Sequence, residues 1–171
     1  MNTLRAILFI FCASGLSVVR AQFVYTGDAS ALSCPCTQLT PDAASKNGSV
    51  HNATTVDLST TFTLDFEVNF GNDDAGGEGM AFVMKSGAWS LGSGGYGLGY
   101  EGIAGNVLTV EFDTRDNHTP LEVVNFDVVS DHISLQDNGD INNLPANPNN
   151  LRGIAPTEIK PGFPDVEDGA T

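Results

Sequence analysis

Two carboxylates placed two residues apart, Glu111 and Asp113, are the first candidates for chemistry in this chain. They lie in "VLTVEFDTRDN" (107–117), where the apolar residues Leu108, Val110 and Phe112 alternate with polar ones. This period of two predicts a β-strand with its apolar side chains on one face and both carboxylates on the other. Carboxylates at this spacing repel each other, so the pattern indicates a positive species beside them.

The residues that follow supply further metal-ligand types. Asn117, Asp127 and His132 add amide, carboxylate and imidazole groups to the acid pair. Oxygen ligands suit Ca²⁺, and carboxylates mixed with one imidazole suit Mn²⁺ or a similar transition ion. Asp113 has two oxygens and is able to bridge two ions. On spacing alone, solvated loop acids are the commoner arrangement, so the metal site is a hypothesis at this point.

The elements that must position these residues are predicted to be strands. Segments with period two or a continuous apolar run alternate with loops rich in Gly, Asn and Asp, and no long segment has helical periodicity. The pattern predicts an all-β jelly roll or β-sandwich. In "DNGDIN" (137–142) an Asn-Gly turn is favoured over a second Ca²⁺ loop. The predicted strands are 23–27, 61–70, 79–85, 107–114, 123–129 and 132–136.

Composition and charge exclude several classes of partner. The 171 residues are 41% hydrophobic, which suits one globular domain with a core. There are 21 acidic residues against 7 basic ones, a formal net charge of −14. Nucleic acids and anionic membranes need basic patches, so neither is an expected partner. The acidic surface suits cation binding or solubility.

The N-terminus predicts export. Arg5 is followed by an apolar run, and Val19 and Ala21 are small residues suited to cleavage before Gln22. We therefore expect a signal peptide at 1–21 and a secreted or cell-surface protein, with an uncleaved anchor as the alternative.

Cysteines and glycosylation sequons carry weaker signals. Cys34 and Cys36 are separated by one proline, so they either form a tight loop or pair with cysteines on another segment. Sequons for N-linked glycans occur at Asn47, Asn52 and Asn117.

Several motifs in a fixed order resemble the L-type, or legume-type, lectins. The family's metal-binding signature is resembled by "VEFDT", followed by Asn117 and then by Asp127 five residues before "HI". "GGEGMAFVM" and "SGGYGLGYEGI" resemble the family's sugar-binding loops, and "DLSTTFTLDFEVNFG" resembles an opening strand of its non-plant members. The resemblance covers about Phe23 to the end. It implies a concanavalin-like jelly roll for 22–171, with further strands beyond Thr171, so the chain is expected to be the N-terminal portion of a domain.

The resemblance also implies roles for individual residues. Glu111 and His132 would bind a transition ion such as Mn²⁺, and Asp113 and Asp127 would bridge it to Ca²⁺. Ca²⁺ would also be bound by the carbonyl of Arg115 and the side chain of Asn117. Sugar hydroxyls would be bound by Glu78, the Asn117 amide and the backbone N–H of Gly95, with Gly94 beside it. The protein would then be a carbohydrate-binding lectin and not an enzyme.

This chain departs from the family pattern at three places. The family has Asp where this chain has Glu78, and an aromatic residue where it has Arg115. Trp89, Tyr96 and Tyr100 are candidates to replace that aromatic platform. The connection from Asn117 to Asp127 is longer than usual, which leaves Asp116 and Asn125 as alternative ligands.

Two other function classes remain open. "EFDTRD" resembles the catalytic strand of retaining jelly-roll glycosidases, in which Glu111 and Asp116 would be the paired carboxylates. Asp116 has the opposite strand parity, which argues against that pairing. The scaffold also suits a non-sugar adhesion module.

Overall fold

The fold is almost entirely antiparallel β-structure. The computed structural model of the chain describes residues 23–33, 36–71, 76–117, 127, 131–143 and 146–151. These residues contain seven strands, and their one helical element is a short 3-10 helix, Gly95–Gly97. Among them, no helix has the length and apolar character needed to cross a membrane. The all-β prediction is confirmed. The predicted signal peptide and most of the predicted strand 123–129 lie outside the described residues.

A three-stranded sheet carries the residues of interest. Its strands are β5 (Gly79–Lys85), β6 (Val107–Asp113) and β7 (His132–Asp137), with β6 in the centre. All three were predicted with bounds within one residue. The β6–β7 register places Asp113 opposite His132 and Glu111 opposite Ser134. Antiparallel pairing therefore brings two candidate ligands from distant parts of the chain side by side.

The carboxylate face of β6 is the buried one. Glu111 and Asp113 are 1% and 5% exposed, whereas the apolar residues Leu108, Val110 and Phe112 on the other face are half-buried. Loop residues explain this burial, because Tyr100, Ile103 and Ile141 pack with Val107 in the hydrophobic core on this side. Alternation predicted the two faces correctly but gave no information on which of them is covered.

The predicted strand 61–70 is wrong. No strand is found there, and most of its residues are exposed. The alternating face does contact the sheet: the Phe66 ring stacks on Phe82 at 5.4 Å between centroids, and Phe70 lies 6.4 Å from Phe112. Period two indicates a face that packs, but a strand also needs a backbone partner. The segment has no ladder partner among the described residues.

Two small sheets form the N-terminal part. β1 (Phe23–Gly27), which was predicted, pairs with β4 (Gly48–Asn52), which was not. β2 (Ser30–Ala31) and β3 (Thr37–Gln38) make a short hairpin that was also not predicted. Cys34 lies outside the described residues, so the pairing of the two cysteines stays open.

The segment after β7 turns as predicted but does not form a tight hairpin. Asn138 and Gly139 both have positive φ, 60° and 67°, which Asn-Gly turns favour. Among the described residues, the chain pairs with β7 again at 149–151: the Asp137 N–H donates to Asn149 O at 2.8 Å, and the Leu151 N–H donates to Leu135 O at 3.0 Å. Between the turn and this pairing, Asn143 reaches the buried face of the sheet, where its amide contacts Glu111.

Candidate metal centre

Three candidate ligands converge on the buried face of the sheet. Each of Glu111, Asp113 and His132 offers a ligand atom within 4.8 Å of the other two. His132 Nε2 lies 3.2 Å from Glu111 Oε1. The strands produce this arrangement because Asp113 and His132 are cross-strand partners and Glu111 shares the face of Asp113.

Two loop residues extend this cluster. The Asn117 N–H donates to Asp127 Oδ2 at 2.8 Å, while Asp127 Oδ1 lies 3.8 Å from His132 Nε2. The two oxygens of Asp127 thus face Asn117 on one side and the sheet cluster on the other. All five predicted metal-ligating side chains therefore lie together. A small cleft is lined by Tyr96, Glu111, Asp113, Asn117, Asp127, Ile141 and Asn143.

The electrostatics of the cleft favour a cation. Burial, reinforced by the nearby Asp127 carboxylate, raises the pKa of Asp113 to about 8. No lysine or arginine is among the described residues that line the cleft. Buried carboxylates need a compensating charge, and a dication among mixed carboxylate and imidazole ligands would supply it. The donor set therefore fits Ca²⁺ together with Mn²⁺ or a related ion.

A ring of uncharged donors holds the Glu111 carboxylate in place. The Tyr100 hydroxyl donates to Glu111 Oε2, and Oε1 accepts hydrogen bonds from Ser134 Oγ at 3.1 Å and Asn143 Nδ2 at 2.8 Å. Burial and the Glu111 charge raise the pKa of Tyr100 far above its ordinary value, so its hydroxyl remains a donor. Such hydrogen bonds orient a ligand before the metal arrives.

Sequence analysis missed these supporting residues. Ser134 and Gln136 alternate with His132 on β7, so strand parity was the signal that would have placed them on the Glu111 face. Asn143 and Tyr100 come from loops, and no local pattern indicated where they would lie.

The backbone and the side chain of Arg115 contact different carboxylates. Its backbone N–H donates to Asp113 Oδ1 at 2.9 Å, whereas its half-exposed guanidinium pairs with Glu78 Oε1 at 3.1 Å. The second contact joins two of the three places at which the sequence departs from the lectin pattern. The Glu78 carboxylate, predicted to accept sugar hydroxyls, thus already has a cationic partner.

The glycine-rich loop presents exposed backbone near Tyr96. Gly95 opens the 3-10 helix with φ of 61°, and a Cβ added there would meet nothing within 4 Å. A Cβ at Gly94 would come within 3.1 Å of the Asn47 side chain. The sugar-binding role of these two glycines stays a prediction.

The three candidate aromatic platforms differ in position. Tyr96 is 46% exposed and lines the cleft, whereas Tyr100 is fully buried beneath it. Trp89 stacks on His51, with 5.4 Å between the ring centroids, and donates to Ser49 Oγ. Tyr96 is therefore the candidate best placed to contact a ligand.

The alternative carboxylate assignments receive no geometric support. Asp116 is exposed, whereas Glu111 is buried and held by donors on both oxygens. A retaining glycosidase needs both carboxylates at one substrate bond. Asn125, the other alternative metal ligand, lies outside the described residues.

Comparison with known families agrees with the fold and the cluster. Residues 10–152 match the family model of the legume lectin domain, which is well over half of the chain. The match begins inside the segment predicted to be a signal peptide. The antiparallel β-structure is that expected of the family's jelly-roll sandwich, and the family consists of carbohydrate-binding proteins without enzymatic activity. The chain belongs to the legume lectin domain family.

Proposed function

We propose that this protein is a secreted or cell-surface lectin that binds glycans non-covalently at a site organised by two dications. The observation that carries the proposal is the convergence of Glu111, Asp113 and His132 to within 4.8 Å on a buried sheet face. Three side chains of these types seldom share a buried site without a cation to balance them.

The metal assignment follows from the types of ligand. Glu111 and His132 would bind the transition ion, since imidazole favours such metals. Asp113 and Asp127 would bridge to Ca²⁺, which would also be bound by the Asn117 side-chain oxygen and the Arg115 carbonyl. Bound ions would neutralise the buried carboxylates and fix the loop that carries Asn117.

The sugar would bind beside Ca²⁺ at the open end of the cleft. The Asn117 amide and the Gly95 N–H would donate hydrogen bonds to sugar hydroxyls, with Gly94 leaving room beside them, and Glu78 would accept. Because the metals hold these groups before the sugar arrives, less ordering is needed on binding. A shallow polar site of this kind is weak alone, so useful affinity would come from several copies or sites.

The experiment compares Asp113→Ala with Asp116→Ala. We expect Asp113→Ala to abolish both glycan binding and the rise in melting temperature on adding Ca²⁺ and Mn²⁺, because ligands that bind only the folded state stabilise it. Asp116→Ala, a matched loss of one nearby acid that is exposed, should leave both intact.

Other outcomes of this comparison would point elsewhere. If the wild type hydrolysed glycans and Asp116→Ala lost that activity, the protein would be a glycosidase and not a lectin. Metal-dependent stabilisation without affinity for any glycan would favour a non-sugar adhesion module.

A further inference from the structure

The Asn143 amide lies beside both groups that are proposed to bind the transition ion. Its Nδ2 is 2.8 Å from Glu111 Oε1 and 3.0 Å from His132 Nε2, and the residue is 3% exposed. One amide nitrogen thus contacts both groups proposed to bind the transition ion. Its two N–H groups are able to donate one hydrogen bond to the carboxylate and one to the imidazole lone pair.

This orientation of the amide is incompatible with direct metal binding. Metals bind the oxygen of a carboxamide, while its nitrogen carries hydrogens and offers no free lone pair. The Asn143 oxygen now points away and accepts from Gln136 Nε2 at 2.5 Å. A turn of the amide by half a revolution would exchange the two atoms and present the oxygen to the metal.

The surroundings allow this turn without moving the backbone. Asn150 Nδ2 donates to the Asn143 backbone carbonyl at 2.9 Å, which fixes the loop at that point. The torsion that turns a carboxamide is broad and nearly two-fold, so both orientations fill the same space. Two changes at Gln136 are then required. It must accept from Asn143 the hydrogen bond that it now donates, and it must give up the hydrogen bond that its Nε2 donates to Ser134 Oγ at 3.1 Å.

Gln136 has a hydrogen-bond acceptor that its present contacts do not use. Its side chain is fully buried, and its Oε1 has no hydrogen-bond partner among the described residues. Buried carbonyl oxygens are rarely left unpaired, and such an atom marks a place where a second arrangement is available. If the Gln136 amide turns together with that of Asn143, Gln136 Oε1 accepts from Asn143 Nδ2 and the contact between the two residues is kept.

We propose that Asn143 is an oxygen ligand of the transition ion, released for this role by a coupled turn of the Asn143 and Gln136 amides. The inference rests on the proposed dication site and adds a ligand to it. Without metal, the Asn143 amide joins Glu111 to His132 by hydrogen bonds. With metal, the Asn143 oxygen would bind the ion together with Glu111 and His132.

The test titrates the full chain with Mn²⁺ and follows free Mn²⁺ by electron paramagnetic resonance. Asn143→Ala should lower Mn²⁺ affinity about tenfold or more, the loss expected when a ligand or its supporting contact is removed. Asn142→Ala, the neighbouring asparagine, should bind as the wild type does. Equal or tighter binding by Asn143→Ala would overturn the proposal, because the amide would then only occupy the metal's space.

A second variant keeps the test decisive if Asn143→Ala does not fold. Asn143→Asp has nearly the same shape, and with Co²⁺ as the probe it should shift the visible absorption bands relative to the wild type, since a carboxylate replaces an amide ligand. Unchanged bands would overturn the proposal. If the wild type bound neither Mn²⁺ nor Co²⁺, the dication site itself would fail, which is distinguishable from the failure of Asn143 alone.

Discussion

The Arg115 guanidinium lies 3.1 Å from Glu78 Oε1, so two of the three places at which this chain departs from the lectin pattern contact each other. Glu78 replaces a sugar-binding Asp, and Arg115 replaces an aromatic residue on which a sugar ring would stack. At the proposed sugar site, the cation would therefore compete with sugar hydroxyls for the carboxylate. Because both side chains are partly exposed, the pair contributes only about 0–1 kcal/mol to folding, and its main effect is expected on binding.

Glycan affinity should respond in opposite directions to changes in this pair. Glu78→Ala should weaken binding about tenfold or more, since a hydrogen bond to a charged group contributes about 1.5–3 kcal/mol. Arg115→Tyr should strengthen binding, because it frees the carboxylate and restores a stacking ring. Calorimetric titration with oligosaccharides measures both effects.

A matched ion pair provides the control for that titration. Lys46 and Asp28 are also 3.1 Å apart but lie in the connections that flank β1 and β4, so Lys46→Ala should leave affinity unchanged. Unaltered affinity in both Glu78→Ala and Arg115→Tyr would move the sugar site away from this loop.

The metal-free protein should become less stable as pH rises from about 4 to 8. Burial and the Asp127 carboxylate raise the pKa of Asp113 from 3.8 to about 8, so between these values the folded state holds a proton that the unfolded chain has released. The stability contributed by Asp113 is complete below about pH 4 and is lost as pH approaches 8. Urea unfolding in EDTA should show a steeper decline for the wild type than for Asp113→Asn, and equal slopes would contradict the assignment.

A side chain at Gly95 should block glycan without affecting the metals. The position faces open space, so Gly95→Val would place its methyl groups where the sugar approaches the backbone N–H. Gly102→Val is the matched control, because Gly102 also has positive φ, 76°, and open space around it. Both variants place a β-branched residue at positive φ, so both carry backbone strain. Only Gly95→Val should lose glycan binding on a surface carrying the ligand, and equal loss in both would indicate a folding defect instead.

N-linked glycosylation should be confined to Asn52 when the chain is expressed in a eukaryotic secretory host. Asn52 is exposed at the end of β4, whereas the Asn47 amide donates to Gly92 O at 3.1 Å and Asn117 is 5% exposed. A glycan needs solvent at the modified amide. Intact mass before and after glycosidase digestion should show one glycan, which Asn52→Gln removes and Asn47→Gln does not. A glycan that persists in Asn52→Gln would contradict this placement.

Sequence patterns predicted the clustered acids and His132 better than they predicted the residues around them. Alternation in β6 placed Glu111 and Asp113 on one face, and a strand beginning at His132 was also predicted. The supporting residues Tyr100 and Asn143 depend on how loops fold over the sheet, which no local periodicity encodes. The segment 61–70 has the clearest alternation in the chain and still lacks a strand, because pairing depends on a neighbour and not on the segment itself.

The central claim is that dications organise the glycan site, and a glycan array with and without chelator tests it most directly. With Ca²⁺ and Mn²⁺ present, the chain should bind a defined subset of glycans. EDTA should abolish that binding, and renewed addition of both ions should restore it. Binding that is unchanged in EDTA would contradict the account, as would the absence of any bound glycan when both ions are present.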